Sequence, residues 1–180
     1  MSRLQPIDPS TATGAAATHL ATARKMFGGT PNLFTTAANA PAALDAMLGM
    51  FAAVGTSSLG AQQGEQIAIA IAQSNGCDYC LSAHTAIGAM RGLDAGTLAV
   101  ARHAASAAPK TAALMRLAVA INEARGQIDD SVLAAARTAG VTDAEVVEVV
   151  AHVALNVFTN YLNNVSQTTI DFPVVALAPA

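Results

Sequence analysis

Residues 62–73 read QQGEQIAIAIAQ, and the way this stretch folds decides the fold of the chain. Ile67, Ile69 and Ile71 alternate with Ala68, Ala70 and Ala72. A period of two made of β-branched residues fits a strand. The intervening positions are all alanine, however, which is the best intrinsic helix former. A helix buried on most of its sides fits this composition better, and the stretch is predicted to be one.

Working outward, Ser74-Asn75-Gly76 is a tight-turn signal, so a second helix should start near Cys77 and end before Gly92. Upstream, a helix is expected from about Thr13 to Phe27, stopped by Gly28-Gly29. Pro31 opens a short helix. Pro41 opens another, whose Leu44, Met47, Leu48 and Phe51 recur at helical spacing and should form one buried face. Thr56 to Gly60 reads as a loop. Downstream, Asp94 can cap a short helix to about Ala105, and Pro109 can start one to about Arg125. Asp129 can cap the next, which Gly140 closes. Thr142 and Glu145 make a T-x-x-E capping box for a long helix to about Asn164. The expected organisation is an N-terminal arm over 1–12, a single all-helical domain over 13–164, and an extended tail over 165–180 packing on a neighbouring subunit.

The bulk numbers agree with an all-α class. The chain has 180 residues, enough for one domain with a real core. Roughly a quarter of it is alanine, and tryptophan is absent. Only 12% of residues are charged, against about 25% in ordinary domains. So few charges solvate a lone globule thinly, which predicts helix faces buried between subunits and hence a homo-oligomer. The net charge is −3 and the basic residues are scattered, so nucleic acid is not an expected partner. No apolar stretch suits a signal peptide or a membrane span, and the cytoplasm is the expected compartment.

In that compartment a close cysteine pair points to catalysis or metal binding more than to a structural bridge. The chain has two cysteines, in Cys77-Asp78-Tyr79-Cys80. A thiol at a helix start meets unpaired backbone N–H groups and the positive end of the dipole, and both favour the reactive thiolate. The two cysteines lie one turn apart, so a disulfide between them is feasible. His84 follows Cys80 by four residues, on the same helical face, where an imidazole can take or return a thiol proton. If the two helices fold back on each other at the turn, Glu65 and His84 reach nearly the same level, within about 3 Å along the axis. Glu65 would then orient His84 or exchange a proton with it. The alternative is an ordinary acidic residue in a first helical turn.

The spacing E-x11-C-x2-C-x3-H, from Glu65 through Cys77 and Cys80 to His84, resembles the AhpD-like alkylhydroperoxidases of the carboxymuconolactone decarboxylase superfamily. The flanks are similar too: Pro31-Asn32-Leu33-Phe34, Asn75-Gly76-Cys77, Asn160-Tyr161 and Asp171-Phe172-Pro173 resemble the peroxidase-related branch. The resemblance implies an all-α, AhpD-like domain whose helix–turn–helix carries the CxxC, assembled as a trimer or hexamer. It implies that Cys80 attacks a peroxide and becomes a sulfenic acid, which Cys77 resolves as the Cys77–Cys80 disulfide. Glu65 and His84 would form the proton relay. No bound cofactor is implied; an external dithiol such as dihydrolipoamide, or a lipoyl-bearing protein, would reduce the disulfide. The best-known members carry histidine where this chain has Tyr79, a poor base at neutral pH that can still hydrogen-bond.

Other readings compete. Cys77, Cys80, His84 and Glu65 could supply four zinc ligands, but structural zinc usually draws on two knuckles and this chain has one, so no metal is expected. His152, Asn156, Asn160 and Asn164 recur every four residues on the last helix, with Asn163 beside them. They form either a pocket wall or a hydrogen-bonded seam between subunits, the seam being favoured because solvated faces use Lys and Glu rather than Asn. His19 and His103 have no partner pattern. Beside the thiol-dependent peroxidase stand a protein or small-thiol disulfide reductase, a carboxymuconolactone decarboxylase-type lyase, and a non-enzymatic redox-sensing oligomer.

Overall fold

The computed structural model describes residues 2–178, and among these the chain is all-α with nine helices. They are α1 (Gly14–Phe27), α2 (Asn32–Ala37), α3 (Pro41–Val54), α4 (Ala61–Ser74), α5 (Asp78–Met90), α6 (Ala95–Ala101), α7 (Pro109–Glu123), α8 (Asp130–Thr138) and α9 (Asp143–Ser166). The QQGEQIAIAIAQ stretch is helical throughout and forms most of α4.

α4 is the centre of the molecule. Eight consecutive residues, Glu65 to Ala72, are buried, because α5, α6, α7 and α9 pack around the helix. A helix covered on every side has no use for an amphipathic pattern. This is why its isoleucines could alternate with alanine and mimic a strand. Ile67, Ile69 and Ile71 are fully buried, alongside Leu44, Met47, Leu81, Leu114, Met115 and Val149. Burying a side chain of this size contributes about 1.5–3 kcal/mol.

The α4–α5 pair turns back as a hairpin at Asn75-Gly76. Gly76 has φ +61°, a left-handed conformation that a side chain would strain. A polar network holds the turn in place. Asn75 Nδ2 donates to Asn160 Oδ1 (3.0 Å), Asn122 Nδ2 donates to Asn75 Oδ1 (2.8 Å), and Asn164 Nδ2 donates to the Asn75 carbonyl (3.0 Å). Farther along, α5 crosses α4 at Gly88, where a Cβ would come within 3.7 Å of Glu65 Cβ and 2.7 Å of Leu98 Cδ2. The glycine lets the two helices meet where Glu65 sits.

Several boundaries differ from expectation. α6 stops at Ala101 because the chain then turns through Ala104, whose φ is +51°. Asp129 makes no side-chain cap on α8, whereas the Thr142–Glu145 capping box of α9 forms. α9 runs two residues past Asn164. The tail beyond it is irregular, and it packs on its own chain. The Val175 N–H donates to Ser82 Oγ (3.0 Å), and Arg102 Nη2 donates to the Ala176 carbonyl (2.7 Å). These bonds, within one chain, take up the segment that was expected to pack on a neighbouring subunit. The arm is likewise tied down, with the Ile7 N–H donating to the Thr35 carbonyl (2.9 Å). Met1, Pro179 and Ala180 lie outside the described residues.

α9 is inverted relative to an ordinary surface helix. His152, Asn156, Asn160 and Asn163 are buried against the core. The opposite side carries Val147, Val150, Ala154, Tyr161 and Val165, all exposed. His152, Asn156 and Asn160 are buried inside one chain and so do not form the expected seam between subunits. Asn164 alone of the four is exposed, and it bonds the Asn75 turn. No helix among the described residues is long and apolar enough to cross a membrane.

Candidate active site

Cys77 is the N-cap of α5 and Cys80 lies in its first turn. Helix geometry brings the two Cα atoms to 5.3 Å, and the sulfurs are joined as a disulfide. The Cys80 backbone N–H donates to Cys77 Sγ (3.2 Å). Asn163 Nδ2, from the buried side of α9, donates to Cys80 Sγ (3.2 Å). Both sulfurs thus face N–H donors at the positive end of a helix, the surroundings that stabilise a thiolate once the bond is reduced. Cys77 is fully buried and Cys80 is 3% exposed.

The hairpin brings Glu65 and His84 together. Glu65 Oε2 lies 2.7 Å from His84 Nδ1. A carboxylate on Nδ1 holds the N–H there and leaves Nε2 as the free lone pair. Nε2 has no hydrogen-bond partner among the described residues, and His84 shares a helical face with Cys80, four residues earlier. On its other oxygen, Glu65 Oε1 lies 3.2 Å from Arg91 Nη1.

These groups form one end of a cavity of about 420 Å³. Met26, Phe27, Phe51 and Val54 supply apolar wall, while Glu65, His84, Arg91, His152 and Asn156 line it with polar groups. Phe27, Phe34 and Phe51 stack in one aromatic cluster that stiffens the apolar side. Neither cysteine is among the lining residues. His152 enters because Gly64 has no side chain; a Cβ there would lie 3.1 Å from His152 Cε1. Burial holds the His152 imidazole below its ordinary pKa, so it is neutral at pH 7, and its Nε2 lies 3.4 Å from Ser57 Oγ. Of the four-residue stripe, His152 and Asn156 therefore line the cavity, while Asn160 and Asn164 hold the turn that bears the cysteines.

Tyr79 sits between the cysteines in sequence but faces away from His84 in its bonding. Its hydroxyl donates to Asp171 Oδ1 (2.8 Å) and accepts the Leu33 N–H (3.1 Å), and its ring meets Phe172 edge-on. Burial pushes the phenol well above its ordinary pKa, so it stays protonated. Its bonds are those of an anchor for the tail, not of a group that handles a thiol proton. Tyr79→Phe should lower stability by about 1–2 kcal/mol, since the buried Leu33 N–H loses its acceptor. Thiol chemistry should stay within about threefold of the parent. A drop beyond tenfold, with the melting temperature unchanged, would return Tyr79 to the reacting groups.

Sequence reasoning missed Arg91 and the role of Asn163. Arg91 stands outside the E-x11-C-x2-C-x3-H spacing, and its approach to Glu65 depends on the crossing at Gly88. Asn163 was visible only as a neighbour of the polar stripe. Among the described residues no group of three His, Cys, Asp or Glu side chains converges as metal ligands.

The chain has an AhpD-like all-α fold, with a CxxC on the second arm of a helical hairpin and a Glu–His pair behind it. Residues 41–120 match the model of the carboxymuconolactone decarboxylase family. Similar solved structures extend the likeness over nearly the whole chain. One is described as an alkylhydroperoxidase AhpD core, an uncharacterised peroxidase-related protein from Ralstonia eutropha JMP134. It has 23% identity and a TM-score of 0.80 over 94% of this chain and 92% of that one. A peroxidase-related protein from Silicibacter sp. TM1040 has 19% identity and a TM-score of 0.75, over 93% and 87% of the two chains. The debrominase Bmp8, solved as a cysteine-to-alanine variant with 2,3,4-tribromopyrrole, has 18% identity and a TM-score of 0.78, over 93% and 91%. At these identities the likeness is one of fold. No curated protein matches the chain at a significant level.

Proposed function

We propose that the chain is a thiol-dependent hydroperoxide reductase cycling Cys77 and Cys80 between dithiol and disulfide. The observation that carries this reading is the sulfur pair at a helix start, with the Glu65–His84 contact of 2.7 Å one turn beyond it. In the reduced protein, His84 Nε2 takes the Cys80 thiol proton, and the imidazolium is held by Glu65. The thiolate attacks one peroxide oxygen, the O–O bond breaks, and the departing alkoxide takes the proton back from His84. The products are Cys80 sulfenic acid and an alcohol. The Cys77 thiol then displaces water from the sulfenic acid, forming the disulfide. An external dithiol such as dihydrolipoamide, free or on a lipoyl-bearing protein, returns both thiols and is itself oxidised to a disulfide.

The test is peroxide consumption with dihydrolipoamide as donor. Turnover that requires both the dithiol and the protein supports the reading; none, with the disulfide shown to cycle, overturns it. A second reading is reductive dehalogenation, favoured by the likeness to a debrominase and by the apolar wall facing His84. Bromide release from a brominated pyrrole in the same assay would mark it.

The subunit state belongs to the same proposal. The exposed valine and tyrosine stripe of α9, together with the sparse surface charge, supports a homo-oligomer that covers it. Light scattering should give a multiple of the 18.1 kDa chain mass, and Val147→Glu with Tyr161→Glu should reduce that multiple. A monomeric parent would reject the idea.

A further inference from the structure

We propose that Arg91 is a positioning residue of the proton relay, holding Glu65 by one oxygen so that the other fixes the proton of His84 on Nδ1. This rests on the relay reading above and adds a member that the motif does not contain.

The geometry is that of a carboxylate clamped between an imidazole and a guanidinium. Glu65 Oε2 meets His84 Nδ1 at 2.7 Å, and Oε1 meets Arg91 Nη1 at 3.2 Å. The Glu65 side chain is 8% exposed and that of Arg91 44%. The guanidinium thus reaches from the surface to a carboxylate that water barely touches. Burial alone disfavours a charged carboxylate, and a neutral imidazole offsets that only in part. A guanidinium does not give up its charge, so it is suited to this task. Among the described residues, no lysine or other arginine lies within ion-pair distance of Glu65. The other titratable groups nearby are His152 and Glu148, both from α9.

Arg91 is itself held from two sides. It is the C-cap of α5, and its N–H donates to the Ile87 and Gly88 carbonyls. Its own carbonyl accepts from Gln62 Nε2 (2.8 Å), and Nη1 also donates to the Ala61 carbonyl (3.1 Å). Ala61 and Gln62 open α4, the helix that carries Glu65. The end of one arm of the hairpin is therefore pinned to the start of the other, and the guanidinium has little freedom to leave the carboxylate. An arginine that served only as a helix cap or surface charge would not need these bonds to the start of α4.

The experiment reads His84 directly and needs no peroxide. Ring nitrogen shifts of His84 in the reduced, full-length protein report the tautomer and the pH at which the Glu65–His84 pair takes up a proton. In the parent the Nδ1–H tautomer should dominate in the neutral imidazole. Arg91→Gln should mix the tautomers and move proton uptake to higher pH, because removing a cation favours protonation of its neighbours. Arg91→Lys should restore part of the difference, since it returns the charge without the fork. On a Glu65→Gln background, Arg91→Gln should move the midpoint by less than a third as much. Unchanged tautomer and midpoint in Arg91→Gln would overturn the proposal. A shift that persists in full without Glu65 would also overturn it, since Arg91 would then act by its field alone. Thermal melting confirms that each variant is folded. If the peroxidase reading fails and these shifts appear, the relay stands and the oxidant is wrong; if turnover stands and the shifts do not, only the role of Arg91 falls.

Discussion

Cys80→Ser should abolish dithiol-dependent peroxide turnover, by at least about 10³-fold, while the protein melts close to the parent in its reduced form. A serine oxygen fits the same space. It cannot become a thiolate-like nucleophile beside His84, and it cannot form the bond to Cys77. Asn163 Nδ2, which donates to Cys80 Sγ at 3.2 Å, would find a hydroxyl instead, so the packing of α9 on α5 is kept. The partner variant behaves differently. Cys77→Ser retains the attacking sulfur and loses the resolving one, so it should consume about one equivalent of peroxide and stop. A sulfenic acid on Cys80, trapped by a dimedone-type reagent, is the mark of that stop. If both variants turn over peroxide at the parental rate, the dithiol cycle is wrong. If Cys77→Ser is dead and Cys80→Ser gives the single turnover, the two roles are reversed.

His84→Ala should cost about 10²-fold or more in peroxide turnover near neutral pH. The loss should narrow as the pH is raised. Without the imidazole, the Cys80 thiol must reach its thiolate by exchange with solvent. An ordinary thiol does so at about pH 8.5. The parent should therefore hold its rate at a pH where the variant is still climbing. Because the imidazole also returns the proton to the leaving alkoxide, part of the loss should remain on the alkaline side. Equal rates in parent and variant across the range would remove His84 from the mechanism. A constant ratio at every pH would keep it as a packing residue only. Glu65→Gln should show the same pH pattern with a smaller loss, since the ring stays but its tautomer is no longer held.

The hairpin and the meeting of Glu65 with His84 could be read from the sequence because they are local. The turn at Asn75-Gly76, the i to i+4 offset from Cys80 to His84, and the level match between Glu65 and His84 follow from helix geometry alone. The centre of the fold was legible for a less direct reason. Alanine between the isoleucines argues for a helix, and the burial of α4 on every side explains why no amphipathic pattern marks it. What escapes reading depends on which way long-range partners face. The Asn stripe of α9 resembles an outer seam because asparagine rows on a helix usually meet another surface. It lies inside, where Asn160 accepts from the Asn75 side chain and Asn163 donates to the sulfur of Cys80. Arg91 cannot be linked to Glu65 by any spacing rule, since the approach is made by a glycine at the helix crossing. Tyr79 invites comparison with the histidine that the resemblance leads one to expect there. Its hydrogen bonds to Leu33 and Asp171, far away along the chain, leave no local signal.

The Tyr79–Asp171 bond spans 92 positions, and Asp171 Oδ2 also accepts the Asn32 N–H at 2.8 Å. One carboxylate thus ties together the start of α2, one of the two residues between the cysteines, and the segment after α9. Closing such distant pairings is a slow event in folding compared with forming the α4–α5 hairpin. During biosynthesis the cysteines would stand one turn apart, able to bond, well before both flanks arrive to cover them. A chain of this design therefore passes through a stage in which its most reactive atoms are formed but unshielded, and the last contacts to close are the ones that protect them.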